Sequence, residues 1–365
     1  MTRQHDDRMI RFGFGRKLGQ WGVAAIAGLA LTTTATAEPL SVMSLGDSVT
    51  VGLHGAEYAS GDSESGGGSV AGYRLPLQQL LARNGVEYDF LGTRQDGPTG
   101  MNLGPGLTQT FDPDHQGYPG IEADELYYSG SDGTYDPDDF DETQRSLKRR
   151  LDWDNEYLST DPWQTRSVFQ EQQPDAILLH IGTNTIRKTA DSSTSTAAED
   201  YNSARQQLAR LADFLGDEQA AGRLGSDVDL FVAAIIPSLY GNGNEDLPDY
   251  DAREQTYEQT QAYNAVIDEV LASSSFVGDV HVVDMFSIVP WAVDKDGDGT
   301  PDYWNTQYMD DDQHPNQAGY DAMARAWYDA MASAELVPVI PEPTSLALLA
   351  PLAGGLLLRR RRRTH

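Results

Sequence analysis

Five short apolar runs rich in β-branched and aromatic residues punctuate the chain: Leu40–Leu45, Tyr88–Gly92, Ala176–Gly182, Asp229–Ile236 and Val280–Met285. Four of them show little alternation of apolar and polar positions. A strand with one wet face alternates, whereas a strand covered on both faces does not, so these runs predict parallel strands inside a layered domain. Between them the period becomes helical. Tyr201, Ala204, Leu208, Leu211 and Leu215 recur at helical spacing, as do Tyr263, Val266, Ile267, Val270 and Leu271, and Tyr320, Met323, Trp327 and Met331. Leu75 to Leu81 predicts a shorter helix. Strands alternating with helices imply a three-layer α/β/α sandwich around a five-stranded parallel sheet.

Two stretches break the pattern. Residues 61–69 are rich in Gly and Ser, and residues 122–170 are rich in Asp, Tyr, Gly and Trp without a clear period. The second reads as a long insertion over one face, of the kind that often forms a lid or binding loop. No internal repeat is visible.

Both ends read as processing signals. A basic start (Arg3, Arg8, Arg11, Arg16, Lys17), a short apolar run from Trp21 to Leu31 and the small residues Ala35-Thr36-Ala37 make residues 1–37 a secretory signal peptide, cut before Glu38 by signal peptidase. At the other end Pro341-Glu342-Pro343 precedes an apolar run, Ser345 to Leu358, and then Arg359 to Arg363. That order resembles the PEP-CTERM sorting signal of Gram-negative bacteria, which implies recognition and removal by an exosortase. An ordinary single-span anchor is the other reading, although the apolar run is shorter than the roughly 20 residues a span needs.

Residues 38–340 then form one large domain. The whole chain carries a formal charge of −30, and these residues hold 16 basic against 53 acidic side chains, or −37. Such a surface excludes nucleic acid as a partner and suits solubility, a salty exterior or bound cations. With no cysteine in the chain, an exported life does not rest on disulfides.

Candidate chemistry begins where the first run stops, at Gly46-Asp47-Ser48. A serine there presents its hydroxyl at the carboxyl edge of the sheet, where open α/β folds bind ligands. It also suits a helix cap. The G-x-S-x-G elbow is absent, because Thr50 stands where its second Gly would be. Serine needs a base, and His314 in Asp311-Asp312-Gln313-His314-Pro315-Asn316 has Asp311 three residues ahead to orient it. His180, inside an apolar strand, reads as a core histidine with its hydrogen bonds met. His54, His115 and His281 have no neighbouring pattern that makes them bases. Asn184, in the turn after a strand, and Gly120, in "DHQGYPG", are candidate donors to an oxyanion, with the Ser48 N–H.

Gly-Asp-Ser, then His-x-Gly-x-x-Gly, then Gly-Thr-Asn, then Asp-x-x-His-Pro-Asn: in this order the chain resembles the SGNH/GDSL hydrolase superfamily. "AGYRLPLQQLL", "YDFLGT" and "DHQGYPG" make it look most similar to family 3 carbohydrate esterases, which include acetylxylan esterases. The resemblance implies a flavodoxin-like fold and a carboxylic ester hydrolase that needs no catalytic cofactor. It implies Ser48 as nucleophile, His314 as base oriented by Asp311, and Gly120 and Asn184 as oxyanion donors. Thr185 departs from the family, which usually has Asp there. The stretches at 122–170 and 294–305 are longer than the family leads one to expect.

The acidic stretch "DKDGDGTPDYWN", residues 294–305, has the spacing of a calcium loop. Asp294, Asp296, Asp298, Thr300 and Asp302 fall at ligand places, with Gly299 sixth and Asn305 where an EF-hand has Glu. It resembles the D-x-D-G-D-G repeats of extracellular calcium proteins. A solvated acidic loop is the plainer reading. Taken together, the sequence predicts an exported serine esterase acting on short acyl esters, O-acetyl groups on a polysaccharide first among them. A lipase or thioesterase, and a non-catalytic, calcium-stabilised surface protein, are the alternatives.

Overall fold

All five apolar runs are strands. Leu40–Gly46 forms β1 and Tyr88–Leu91 forms β2. The short β3 (Arg94–Gln95) and β4 (Asp114–Gly117) follow, then β5 (Ala176–His180), β6 (Asp229–Ala234) and β7 (Val280–Asp284). The computed structural model describes residues 38–53, 71–126, 168–190, 197–239 and 250–340. The expected signal peptide, the sorting tail, the Gly/Ser loop from residue 61, His54 and residues 127–167 of the expected insertion lie outside the described residues.

The expected strands run parallel in the order β2-β1-β5-β6-β7. Two strands beyond the expected five join this sheet. β4 pairs parallel with the end of β1 (Leu45 opposite Gln116, Gly46 opposite Gly117), and β3 pairs antiparallel with β4. β1 is thus flanked by β2 along its first half and by β4 at its carboxyl end. That exchange brings residues 114–121 to the rim that carries Ser48.

Each side of the sheet has its own core. Met43, Leu45, Ile177, Leu179, Leu230 and Val232 face Leu208, Leu211, Leu215, Tyr263 and Ile267. Their strand neighbours Val42, Leu178 and Phe231 face Leu77, Leu81, Tyr320, Met323, Trp327 and Met331. Apolar side chains on both faces explain why these runs do not alternate. Truncating one of these leucines to Ala would cost about 2–5 kcal/mol.

The helices, in chain order, are α1 (Ser48–Val51), α2 (Arg74–Arg83), α3 (Ala123–Leu126), α4 (Val168–Glu171), α5 (Thr183–Ala190), α6 (Ala197–Ala220), α7 (Tyr250–Asn264), α8 (Ile267–Ala272) and α9 (Gln317–Ser333). The helical face predicted across Tyr263 to Leu271 is broken between α7 and α8. Asn264 is the reason: its Nδ2 donates to the Ile235 carbonyl at 2.9 Å, and its Oδ1 accepts the Ile235 N–H at 2.8 Å. The side chain mimics a strand neighbour just past β6 and holds the chain out of helical register. A two-stranded ribbon, β8 (Ala292–Val293) with β9 (Tyr303–Trp304), brackets the acidic loop.

Candidate active site

Gly46 ends β1 with φ +154°, and a Cβ there would lie 2.1 Å from the His180 carbonyl oxygen. Only glycine lets β1 pass this close to β5 and turn into α1. Asp47, not Ser48, then caps the helix, its Oδ1 accepting the Val49 N–H at 3.0 Å. The capping role that Ser48 also suited falls to the aspartate, which leaves the Ser48 hydroxyl for other work. Ser48 opens α1 with 7% of its surface exposed.

Beneath α1 lies Arg74. Its guanidinium is wholly buried and donates to the carbonyls of Thr50, Val51, Asp96 and Pro113 at 2.8–3.1 Å. Burial pulls its pKa down to about 10, so the side chain is still a cation at neutral pH. One charge thereby gathers the open carbonyl end of α1 and two loops. Sequence reasoning passed over Arg74, although an arginine opening an otherwise apolar helical face was a visible signal.

His314 comes from the far end of the chain. The Met309–Pro315 bridge and the hydrogen bond from Asp310 N–H to the His314 carbonyl at 2.9 Å close a tight loop. Asn316 caps α9 by accepting the Ala318 and Gly319 N–H groups. In this loop Asp311 Oδ1 accepts the N–H groups of Gln313 and His314 at 2.7 and 2.6 Å. Its Oδ2 lies 2.8 Å from His314 Nδ1. On the other side of the ring, His314 Nε2 lies 3.0 Å from Ser48 Oγ. A carboxylate at Nδ1 selects the tautomer with Nδ1 protonated, leaving Nε2 to accept the serine proton. Burial alone would raise the Asp311 pKa, but the hydrogen bond from His314, the imidazole charge and the two backbone donors outweigh it, and the net shift is downward. The neighbouring Asp312 is pushed up to about 6 by burial and by the charge of Asp311.

The expected donors converge on the same rim. Tyr118 N–H donates to the Gly46 carbonyl at 2.9 Å, extending the β1–β4 ladder. Pro119 and Gly120 then occupy the centre of a turn, with Gly120 at φ +72°, a conformation that favours glycine after proline. Asn184 is not in a turn but in the first turn of α5. One hydrogen of its amide goes to the Ile121 carbonyl at 2.9 Å, which ties α5 to the Gly120 turn and leaves the second for a ligand. Asn184 is 5% exposed. Thr185, at the departure from the family pattern, donates to Gln207 Oε1 at 2.5 Å and so anchors α5 to α6. This arrangement can take a proton from a hydroxyl and place N–H donors about a developing negative charge.

The remaining histidines divide. His115 is paired with Asp96 at 3.1 Å, and His281 with Asp229 at 2.8 Å. His180 is fully buried as expected, but its hydrogen bonds are not met. Among the described residues neither ring nitrogen has a hydrogen-bond partner, and Nδ1 lies 3.8 Å from Asp47 Oδ1. Gly46 and His180 are paired where parallel β1 and β5 end, and the 3.8 Å between Asp47 and the ring is too long for a hydrogen bond.

In the acidic loop, Asp294, Asp296 and Asp302 bring one carboxylate oxygen each to within 4.8 Å of one another. Asp298 groups instead with Asp296 and with Glu254 of α7, a residue no sequence motif marks. Thr300 N–H donates to Asp298 Oδ1 at 2.8 Å.

The GDSL-like lipase/acylhydrolase family model matches residues 129–322, which include Asn184, Asp311 and His314. No curated protein matches the chain. Solved structures similar to it include a family 3 carbohydrate esterase from Clostridium thermocellum, with 20% identity over 81% of this chain and 96% of that one and a TM-score of 0.42. An acetylxylan esterase from Geobacillus stearothermophilus follows at 13% identity, 80% and 94% coverage and a TM-score of 0.43. The matched family model spans more than half of the sequence, and the chain belongs to the GDSL-like lipase/acylhydrolase family as an ester hydrolase of the GDSL type.

Proposed function

We propose that the protein is an exported serine esterase that removes short acyl groups, acetyl first among them, from a polysaccharide. The observation that carries this is the hydrogen-bonded row Asp311–His314–Ser48. In the proposed cycle Ser48 Oγ attacks the ester carbonyl carbon while its proton passes to His314 Nε2. The oxyanion takes hydrogen bonds from the Ser48 and Gly120 N–H groups and the Asn184 amide. His314 returns the proton to the departing sugar oxygen, and the acyl group stays on Ser48. A water molecule, deprotonated by His314, attacks the acyl carbon, and the carboxylic acid leaves with Ser48 restored.

The short-acyl reading rests on the motifs shared with family 3 carbohydrate esterases and on the Tyr-, Trp- and Asp-rich composition of residues 122–170, which suits sugars better than an acyl groove. Export rests on residues 1–37, and an exosortase-processed tail on residues 341–365. The reaction uses side chains and water alone, and calcium in this reading has a structural place in the 294–302 loop. Purified protein should hydrolyse p-nitrophenyl acetate faster than the palmitate ester, and Ser48→Ala and His314→Ala should each lower turnover by about 10⁴-fold or more. Turnover that survives both substitutions overturns the mechanism. Acetate release across a panel of acetylated polysaccharides identifies the substrate, and release from none of them overturns the polysaccharide reading.

A further inference from the structure

The loop between β8 and β9 concentrates negative charge without an answering positive one. Among the described residues no lysine, arginine or histidine nitrogen pairs with the carboxylates of Asp294, Asp296, Asp298 or Asp302. Lys295 within the loop and Arg253 of α7 face aromatic rings instead. Lys295 Nζ lies 3.4 Å from the centre of the Tyr303 ring, and the Arg253 guanidinium lies 5.3 and 5.1 Å from the Tyr303 and Trp304 rings. Exposed acids tolerate such crowding because water screens them.

Asp302 is not exposed. Its side chain has no accessible surface, its Oδ1 accepts the Lys295 N–H at 2.9 Å, and its Oδ2 is buried and has no hydrogen-bond partner among the described residues. A buried carboxylate oxygen with nothing to accept is costly, and the usual remedy is a cation. Asp302 also belongs to the group whose oxygens fall within 4.8 Å of one another, with Asp294 and Asp296. The donor set is entirely carboxylate oxygen, which selects a hard ion, and a loop turned by Gly297 (φ +88°) and Gly299 (φ +109°) suits calcium's flexible coordination better than magnesium's rigid octahedron.

One ligand is missing from the loop itself. Asn305 stands at the twelfth place, and its side chain is committed elsewhere: Nδ2 donates to the Pro290 carbonyl and Oδ1 accepts the Gln307 N–H. Glu254, forty residues before Asp294 and on α7, places a carboxylate oxygen within 4.8 Å of those of Asp296 and Asp298. We propose that Asp294, Asp296, Asp298 and Asp302 form a calcium site anchored on the buried Asp302, and that Glu254 supplies from α7 the acidic ligand the loop lacks. The ion fastens this loop to α7. Asp302 N–H is held by the Val293 carbonyl at 3.0 Å, and Asp311 follows nine residues later, so the fastening steadies the segment that presents Asp311 and His314.

The test is calorimetric titration of the chelator-stripped full chain with calcium chloride, with thermal melting alongside. The site predicts a dissociation constant on the order of 10⁻⁵–10⁻³ M and a rise in melting temperature of roughly 5 °C at millimolar calcium, with a smaller rise for magnesium. Asp302→Asn should abolish the heat while melting in chelator no lower than wild type, since it removes the unpaired charge. Glu254→Gln should weaken binding by about 10-fold or more. No heat and no shift in melting with wild-type protein overturns the site, as does wild-type affinity in Asp302→Asn. Wild-type affinity in Glu254→Gln overturns the assignment of Glu254. None of these readouts uses ester hydrolysis, so failure here is distinct from failure of the esterase reading.

Discussion

Two imidazole–carboxylate pairs sit near the same rim, and only one of them touches a hydroxyl. His314 meets Asp311 at 2.8 Å and turns its other nitrogen to Ser48 at 3.0 Å. His115 meets Asp96 at 3.1 Å, but its other nitrogen accepts the N–H of Gly117 at 2.9 Å. Both ring nitrogens of His115 are therefore used up in holding β4 and the residue that follows β3. Burial, reinforced by the charge of Arg74, pushes the His115 pKa down to about 3. Asp96 is held well below the usual carboxylate range, mainly by the hydrogen bond from His115, with Arg94 assisting against burial. A sealed, neutral imidazole with both nitrogens engaged is a brace. An imidazole at the rim with one nitrogen facing a serine is equipped for proton transfer. The difference lies in what stands opposite the second nitrogen, not in the pair itself.

The contrast predicts a graded set of losses. Asp311→Asn disturbs the tautomer that faces Ser48 and should lower kcat by about 10³–10⁴-fold with little change in KM. A drop of less than about tenfold would show that Asp311 does not orient the base. Asn184→Ala removes one oxyanion donor, with an expected loss of about 10²–10³-fold in kcat. His115→Asn keeps an acceptor for Gly117 but loses Asp96. It should change kcat by no more than about twofold while lowering the melting temperature by roughly 5 °C.

The brace also has a pH signature. The unfolded imidazole titrates near 6.5 and the folded one near 3, so between those values the unfolded chain takes up a proton that the fold refuses. Stability from His115 is full above about pH 6.5 and is lost as pH falls toward 3. Asp96, whose folded pKa is depressed, adds a loss of the same sign below about pH 4. Denaturant melts across this range should fall with pH in the wild type and flatten in His115→Asn. An unchanged slope in the variant would mean that other groups set the acid limb.

The strands and the serine–histidine–aspartate candidates were legible because each is announced locally. A both-faces-apolar run needs only its own residues to be read, and Asp311 lies within one loop of His314. What was not legible depends on distant partners. β3 and β4 are two and four residues long, too short to show a period. The break at Asn264 exists because Ile235 stands opposite it, and the His180 ring, without a hydrogen bond among the described residues, faces Asp47 of the neighbouring strand end at 3.8 Å. Arg74 and Glu254 act on segments far from their own in sequence, so their surroundings in the chain say little about them.

Ser48 as the nucleophile is the claim on which the rest stands, and phosphonylation tests it most directly. A fluorophosphonate reacts when an activated serine displaces its fluoride, and mass spectrometry of the digested protein locates the adduct. One adduct is expected, on Ser48, formed with loss of esterase activity and slowed by orders of magnitude in His314→Ala. Complete inactivation with the adduct on another residue, and Ser48 unmodified, would contradict it.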